Sequence, residues 1–335
     1  LVRAGVDDMA PQGGSNGLVT IFGGPGFVGR HAVRALAKNG YRIRAASRRP
    51  DLAGHLQPMG DVGQIQPVQA NLRFPDSVAR AVEGVDAVVN AVGILAPSGA
   101  QTFAVVHVDG ARAVARAAKA AGARRFVHIS AIGASASSSA HYATTKAAGE
   151  AAVLEEFPEA VILRPSIVFG PEDQFFNRFA SLARISPVLP LIGGGRTRFQ
   201  PIYVGDLGAA IAAVVAGAGT PGTVYELGGP EVLTFRELME RTLAYADRRC
   251  KLVSLPFWLA KLQALATWPL PNAWRPLTVD QVRLLQTDNV VSEQAIKEGR
   301  TLAALGVAAP DAIGSIVPGY LERFKRKGQY ARYRG

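Results

Sequence analysis

The stretch Leu18-Val19-Thr20-Ile21-Phe22-Gly23-Gly24-Pro25-Gly26-Phe27-Val28-Gly29-Arg30 decides the fold. Its first five residues are apolar or β-branched and read as a short buried strand, and glycines at 23, 26 and 29 follow directly. A helix then begins near Gly29. Backbone N–H groups at a helix N-terminus, with no Cβ in front of them, suit a pyrophosphate. A tight strand-to-helix turn without a ligand is the other reading of such a triplet, and the surrounding chain separates the two.

Outward from this loop, short apolar runs alternate with Ala-rich helical stretches. Strands are predicted at Leu18 to Phe22, Arg42 to Ala46, Ile65 to Gln69, Ala87 to Asn90, Arg125 to Ile129 and Ala160 to Leu163, with helices beginning near Gly29, Pro75, Val108 and Tyr142. Repeated βαβ units imply an α/β fold, a Rossmann-type doubly wound parallel sheet whose strand C-termini share one ligand-binding edge. Past Gly170 the regularity breaks, and Pro and Gly mix with aromatics through Gly195. The chain returns to the sheet near Thr223 to Leu227 and then becomes helical. The expected organisation is a flexible leader (1–16), a cofactor domain (17–170, its sheet completed by 223–228), and a smaller, mainly helical C-terminal lobe with a basic tail (171–335).

Composition narrows the function classes. Of 335 residues, 48% are hydrophobic and 19% charged, enough apolar mass for a large core and inconsistent with global disorder. Lys and Arg number 37 against 26 acids, a net +11, which suits a polyanionic neighbour or reflects an Arg-rich coding sequence. With no helix-turn-helix or RNA-binding signature, nucleic acid is not the expected partner. A single cysteine, Cys250, excludes an internal disulfide and a Cys-based zinc cluster, and the five His lack metal-ligand spacing, so no metal is expected. The first sixteen residues do not read as a signal peptide, and Asp7 and Asp8 argue against a presequence. No run of 18 uncharged apolar residues suggests a membrane span.

Where a binder of NAD would offer an acid to the ribose 2′-hydroxyl, this chain offers Ser47, Arg48 and Arg49. A guanidinium matches a 2′-phosphate, so NADPH is the expected cofactor; a solvated Arg pair is the alternative. Pro25, Phe27 and Val28 complete the loop of Gly23, Gly26 and Gly29, while Asn71-Leu72 and Ala91-Val92-Gly93 end the third and fourth strands on the same side. Tyr142 and Lys146 lie four apart on a helix and share a face, where such a Lys would bind the nicotinamide ribose and lower the Tyr pKa.

Together with Tyr142-Ala143-Thr144-Thr145-Lys146 and Arg164-Pro165-Ser166-Ile167-Val168-Phe169-Gly170, the glycine loop resembles an atypical or extended short-chain dehydrogenase/reductase. The segments Phe169 to Phe179, Leu277-Thr278-Val279-Asp280-Gln281-Val282-Arg283-Leu284-Leu285 and Asp288-Asn289-Val290-Val291 resemble the NAD(P)H-binding accessory subunits of respiratory complex I over about residues 17 to 325. That resemblance implies a tightly held NADPH with Pro165, Ser166 and Ile167 also at the cofactor. It further implies a structural or assembly role in NADH:ubiquinone electron transport, other complex I subunits as partners, and a peripheral place on the cytoplasmic side of a bacterial inner membrane.

One departure fits that reading. The catalytic hydroxyl of the wider superfamily aligns with Ala131; Ser130 lies one residue earlier and, by strand alternation, is expected to face the wrong way. The alternatives are a free-standing NADPH-dependent reductase or epimerase of a small or lipid-like carbonyl, using Tyr142 and Lys146 with or without Ser130, and an NADPH-binding redox sensor. All three tryptophans, 258, 268 and 274, fall in one C-terminal stretch, where Trp258, Leu262 and Leu265 form a stripe. That stripe suits an anionic membrane surface, a partner subunit, or packing within the lobe. Asp206 reads as a helix N-cap, and Glu172 and Asp173 as loop charges positioning the lobe.

Overall fold

Four apolar side chains and the buried Thr20 at Leu18–Phe22 build an interior strand, β1, from which the chain winds first one way and then the other. The computed structural model describes residues 16–266 and 277–326. After β1 come α1 (Phe27–Lys38), β2 (Arg42–Ser47), β3 (Ile65–Gln69), α2 (Pro75–Ala81), β4 (Ala87–Asn90), α3 (Gly110–Ala120), β5 (Arg125–Ile129), α4 (His141–Glu156) and β6 (Val161–Pro165). The chain continues through β7 (Val168–Phe169), α5 (Phe176–Ile185), β8 (Val188–Ile192), β9 (Arg198–Phe199), β10 (Ile202–Tyr203), α6 (Val204–Val215) and β11 (Val224–Leu227). Its last part holds β12 (Leu233–Thr234), α7 (Phe235–Tyr245), β13 (Lys251–Leu255), α8 (Phe257–Ala266), α9 (Val279–Leu284), α10 (Glu293–Lys297) and α11 (Ile313–Leu321).

Seven strands form a parallel sheet in the order β11-β6-β5-β4-β1-β2-β3. The order reverses between β1 and β4, where Val19 pairs with Ile43 on one side and Ala87 on the other. One face carries Val19, Ile21, Val127 and Ile129 beneath α1 and α6; the other carries Phe22, Val88 and Phe126 beneath α2, α3 and α4. Burial of both faces is why these strands read as continuous apolar runs. A separate core of Phe169, Phe176, Leu191, Leu238 and Val317 holds α5, α7 and α11 together.

The predicted strands match closely, with shifts in two of them: β2 runs on to Ser47, and β6 spans Val161–Pro165 instead of Ala160 to Leu163. The helix expected near Val108 is preceded by a wide π turn at Ala104–Asp109. A 3-10 segment at Pro50–Met59 was not anticipated. Neither were three two-stranded pairings, β7 with β10, β9 with β12 and β8 with β13, because their partners lie far apart in sequence. Asp206 is not the N-cap of α6. That position belongs to Tyr203, and the Asp206 carboxylate in the first turn instead accepts the Asp311 N–H at 2.8 Å. Trp268, Trp274 and the tail from Lys327 onward lie outside the described residues, as does most of the leader.

Candidate functional site

At the reversal of strand order, the loop after β1 meets the ends of β2 and β4. Gly23 takes φ +80°, and its N–H donates to the Ala46 carbonyl at 3.0 Å, so the turn is tied to β2. A Cβ on Gly29 would stand 2.1 Å from the Gly23 carbonyl oxygen, which leaves no room for any other residue. Gly26 is the N-cap of α1 and offers no side chain to its orphan N–H groups, and no acid occupies the first turn. The N-terminus of α1 is therefore an open cluster of donors at the positive end of the helix dipole. Arg30 braces the loop from below, donating to the Pro25 carbonyl at 3.0 Å and pairing with Glu172 at 3.4 Å. Glu172 also meets His31 at 3.2 Å, joining the segment after β7 to the glycine-loop helix.

Ser47, Arg48 and Arg49 sit together at the C-terminal end of β2 but are not equivalent. The Ser47 hydroxyl is buried and has no partner among the described residues. Arg49 is held by Asp51 through contacts of 3.0 and 2.7 Å, whereas Arg48 is exposed and makes no ion pair among the described residues. On the β3 side, Asn71 and Leu72 are half-buried; the Asn71 N–H donates to Ser77 Oγ, and Leu72 lies against Gly110. Ala91, Val92 and Gly93 follow β4, with the Val92 N–H fastened to Asn90 Oδ1 at 3.2 Å. The open α1 terminus, the orphan Ser47 hydroxyl and the free Arg48 fit a phosphorylated dinucleotide.

Beyond Gly93 lies a buried polar cluster. Lys146 is almost fully enclosed and donates from Nζ to the Ile129 carbonyl at 3.0 Å, and burial draws its pKa down to about 8. Burial pushes the Tyr142 phenol up to about 12, and its ring meets His107 and Phe103 edge-on, with centroids at 5.4 and 5.9 Å. His107, on the π turn, accepts the Ile94 N–H at Nε2 (3.2 Å) and so donates from Nδ1 to Thr145 Oγ1 (3.1 Å). Gly149 makes room for this turn: a Cβ there would fall 2.1 Å from the His107 carbonyl oxygen. His128 pairs with Asn90 at 3.3 Å and leaves its Nε2 without a partner. Desolvation, helped by the nearby Lys146 charge, draws both His107 and His128 down to about 3.

Ser130 lies just past the end of β5. Its N–H donates to the Leu163 carbonyl at 2.7 Å and that of Ile132 to Pro165 at 3.0 Å, so strand pairing continues past Ile129. By alternation Ser130 shares the face of Phe126 and His128, the face covered by α3 and α4. Its hydroxyl is buried and unpartnered among the described residues.

The other predicted cofactor residues are occupied within the chain. Ser166 donates from Oγ to the Asn289 carbonyl (2.8 Å) and side-chain oxygen (2.7 Å), and the Ile167 N–H donates to the same Oδ1 at 3.0 Å. Pro165 ends β6, where its carbonyl accepts from Ile132. Asp280 caps α4 from outside, accepting the His141 and Tyr142 N–H groups at 2.6 and 2.8 Å. Sequence reading missed Asn90, His107, His128 and these two clamps. Polar residues inside apolar strands, as in Arg125-Phe126-Val127-His128-Ile129, were the available signal. Among the described residues, no group of His, Cys, Asp and Glu could hold a metal ion.

This arrangement of glycine loop, Tyr142 and Lys146 coincides with a family match, since the model for the NAD dependent epimerase/dehydratase family covers residues 19–228. The chain belongs to that family. Among its relatives, subunit 9 of the mitochondrial NADH dehydrogenase (ubiquinone) 1 alpha subcomplex from Arabidopsis thaliana is 37% identical, over 89% of this chain and 78% of that protein. The ceramide reductase of Caulobacter vibrioides is 34% identical, over 85% of this chain and 89% of that protein. An NADPH-dependent quinone oxidoreductase from Escherichia coli, solved with NADPH, superposes with a TM-score of 0.70 over 90% of this chain and 99% of its own. At 21% identity it speaks for the epimerase/dehydratase fold alone.

Proposed function

We propose that this family member holds NADPH as a fixed structural ligand and serves as an accessory subunit of respiratory complex I, peripheral on the cytoplasmic side of a bacterial inner membrane. The observation that carries this reading is the 37% identity with the Arabidopsis subunit across most of both chains. The site's chemistry supports it. The open α1 N-terminus would take the pyrophosphate, Ser47 and Arg48 the 2′-phosphate, and Lys146 the nicotinamide ribose, while the bound group would supply hydride chemistry if a substrate reached it. Residues 17–170 with 223–228 would form the nucleotide domain, and the remainder after 171 the docking lobe. A nucleotide bound only by the native chain stabilises that chain and its docking surface through linkage.

Ser130 favours a second reading. A buried hydroxyl on the α4 side, with Tyr142 and Lys146 on α4 itself, is the donor set of a carbonyl reductase, and the Caulobacter relative is named for reducing a lipid. The reactive chemistry would then be proton donation by the Tyr142 phenol to a carbonyl oxygen. Gentle solubilisation of native membranes and native electrophoresis separate the readings. This chain should migrate with NADH:ubiquinone oxidoreductase activity. Migration only as a free protein, with NADPH oxidation by long-chain ketones that Tyr142→Phe abolishes, would establish the reductase instead.

A further inference from the structure

We propose that β8, β13, α8 and the C-terminal end of α5 form one surface that seats the protein on an anionic lipid bilayer. This deepens the peripheral placement proposed above and rests on it for the membrane, though not on the association with complex I. These elements are neighbours: β8 and β13 pair in parallel, the Lys251 N–H donates to the Pro187 carbonyl at 2.9 Å, and Cys250 Sγ reaches the Ser186 carbonyl at 3.3 Å. The aromatic ring of Phe257 packs over Gly193 at the end of β8 and fixes the start of α8.

The surface they present is apolar where a soluble face should be polar. Ile185 is 85% exposed, Trp258 67%, Leu265 58%, Leu262 56% and Val253 51%. On the paired strands, Val188 stands beside Lys251 and Pro190 beside Val253, and all four are exposed, so this face of the ribbon is uncovered. Single exposed apolar residues need no explanation, but a contiguous group does.

Charge identifies what covers it. Residues 174–205 and 248–279, which contain all of these elements, include no Asp or Glu, yet hold four arginines in the first stretch and five basic residues in the second. Arg184, Arg196, Arg249 and Lys251 are exposed and form no ion pair among the described residues. A Trp and Leu face rimmed by unpaired Arg and Lys, with acids excluded over both stretches, is the pattern of a helix lying in the headgroup plane with its cations on lipid phosphates. No described helix is long and apolar enough to cross a membrane, so the contact lies at the surface.

The test uses the full chain with its nucleotide and vesicles of phosphatidylcholine, with or without roughly one-third phosphatidylglycerol. Trp258 is exposed on this surface, so its emission in a Trp268→Phe, Trp274→Phe background reports insertion. Binding with a blue shift is expected on anionic vesicles, with little on phosphatidylcholine alone. Each cation contributes about fivefold near such a surface, so Arg184→Glu with Lys251→Glu should weaken binding at least about twentyfold, and Leu262→Ala with Leu265→Ala should weaken the blue shift of the bound state. These positions are exposed, and unchanged melting temperature and nucleotide content would show that the variants are folded. Absence of binding to anionic vesicles, or equal binding by the charge-reversed protein, would overturn the proposal. So would detergent-stripped, lipid-free complex that retains the chain through Trp258 and Leu262, which would make this a protein interface. Failure to migrate with complex I would leave the vesicle result standing.

Discussion

Ser47, Arg48 and Arg49 are adjacent in sequence but have different partners. Asp51 neutralises Arg49, Ser47 is buried with an unmet hydroxyl, and only Arg48 is free to meet a phosphate. Charge-assisted hydrogen bonds are worth about 1.5 to 3 kcal/mol, so Arg48→Glu should cost roughly tenfold to a hundredfold in NADPH affinity and improve NADH binding. Titration with both nucleotides checks this, and an unchanged ratio would remove Arg48 from the site. His107 and His128 add a pH dependence. Burial holds both at about 3, below their ordinary 6.5, so on acidification the unfolded chain takes up protons that the folded chain refuses. Stability should be complete above about pH 6.5 and fall below it, by up to about 1.4 kcal/mol per pH unit for each imidazole. Lys146 titrates between about 8 and its ordinary 10.5, outside this window. Urea unfolding of the His128→Gln protein between pH 7 and 5 should show a slope smaller by about one proton, and an identical slope would refute the assignment. The glycine loop was legible because a tight strand-to-helix turn demands glycine at particular positions. His107 was not, nor was the burial of the Ser130 hydroxyl, because a buried polar group gains meaning only from what packs around it.

Helix α4 carries both Tyr142 and Lys146, yet its own N-terminus is poorly specified. Its N-cap is Ala140, which makes no side-chain hydrogen bond, and its first turn holds no acid. Asp280 supplies the missing acceptor from the N-terminal turn of α9, across 138 residues of chain to Tyr142. A lost cap costs about 0.5 to 2 kcal/mol, so Asp280→Ala should destabilise the protein by that amount, and Asp280→Asn, which keeps one acceptor, should recover most of it. Thermal melts of the two variants with and without NADPH decide the matter; equal stability of the Ala and wild-type proteins would mean that the cap is idle. Asn289 plays a similar part for β6, taking donors from Ser166 and Ile167. The element scale was where sequence reading was strongest for β1 to β6, whose period and apolar content are local. It was weakest for the paired ribbons of the lobe, since β8 and β13 find each other across 63 positions of sequence and neither alternates cleanly.

For the molecule as a whole, the sheet reverses direction at the glycine loop, Glu172 ties α1 to the start of the lobe, and the lobe brings Asp280 and Asn289 back to the site. The candidate nucleotide site and the lobe are thus tied together, and a ligand at 100 times its dissociation constant would add about 2.7 kcal/mol to the stability of the whole. The doubly wound sheet, the loop and the smaller lobe could all be read from the chain. The Trp258, Leu262 and Leu265 stripe could be read too, but not its neighbours, because the other apolar residues come from α5, β8 and β13 and only folding brings these elements together. A fixed ligand and a reacting one predict opposite outcomes in a single assay: isolating complex I from native membranes, releasing the nucleotide held by this chain, and measuring its amount and redox state before and after NADH-driven turnover. About one NADPH per copy of the chain is expected, still present and still reduced after turnover, as a ligand held by the native fold should be. A complex without this nucleotide, or one in which it is oxidised at the rate of NADH consumption, would contradict that expectation.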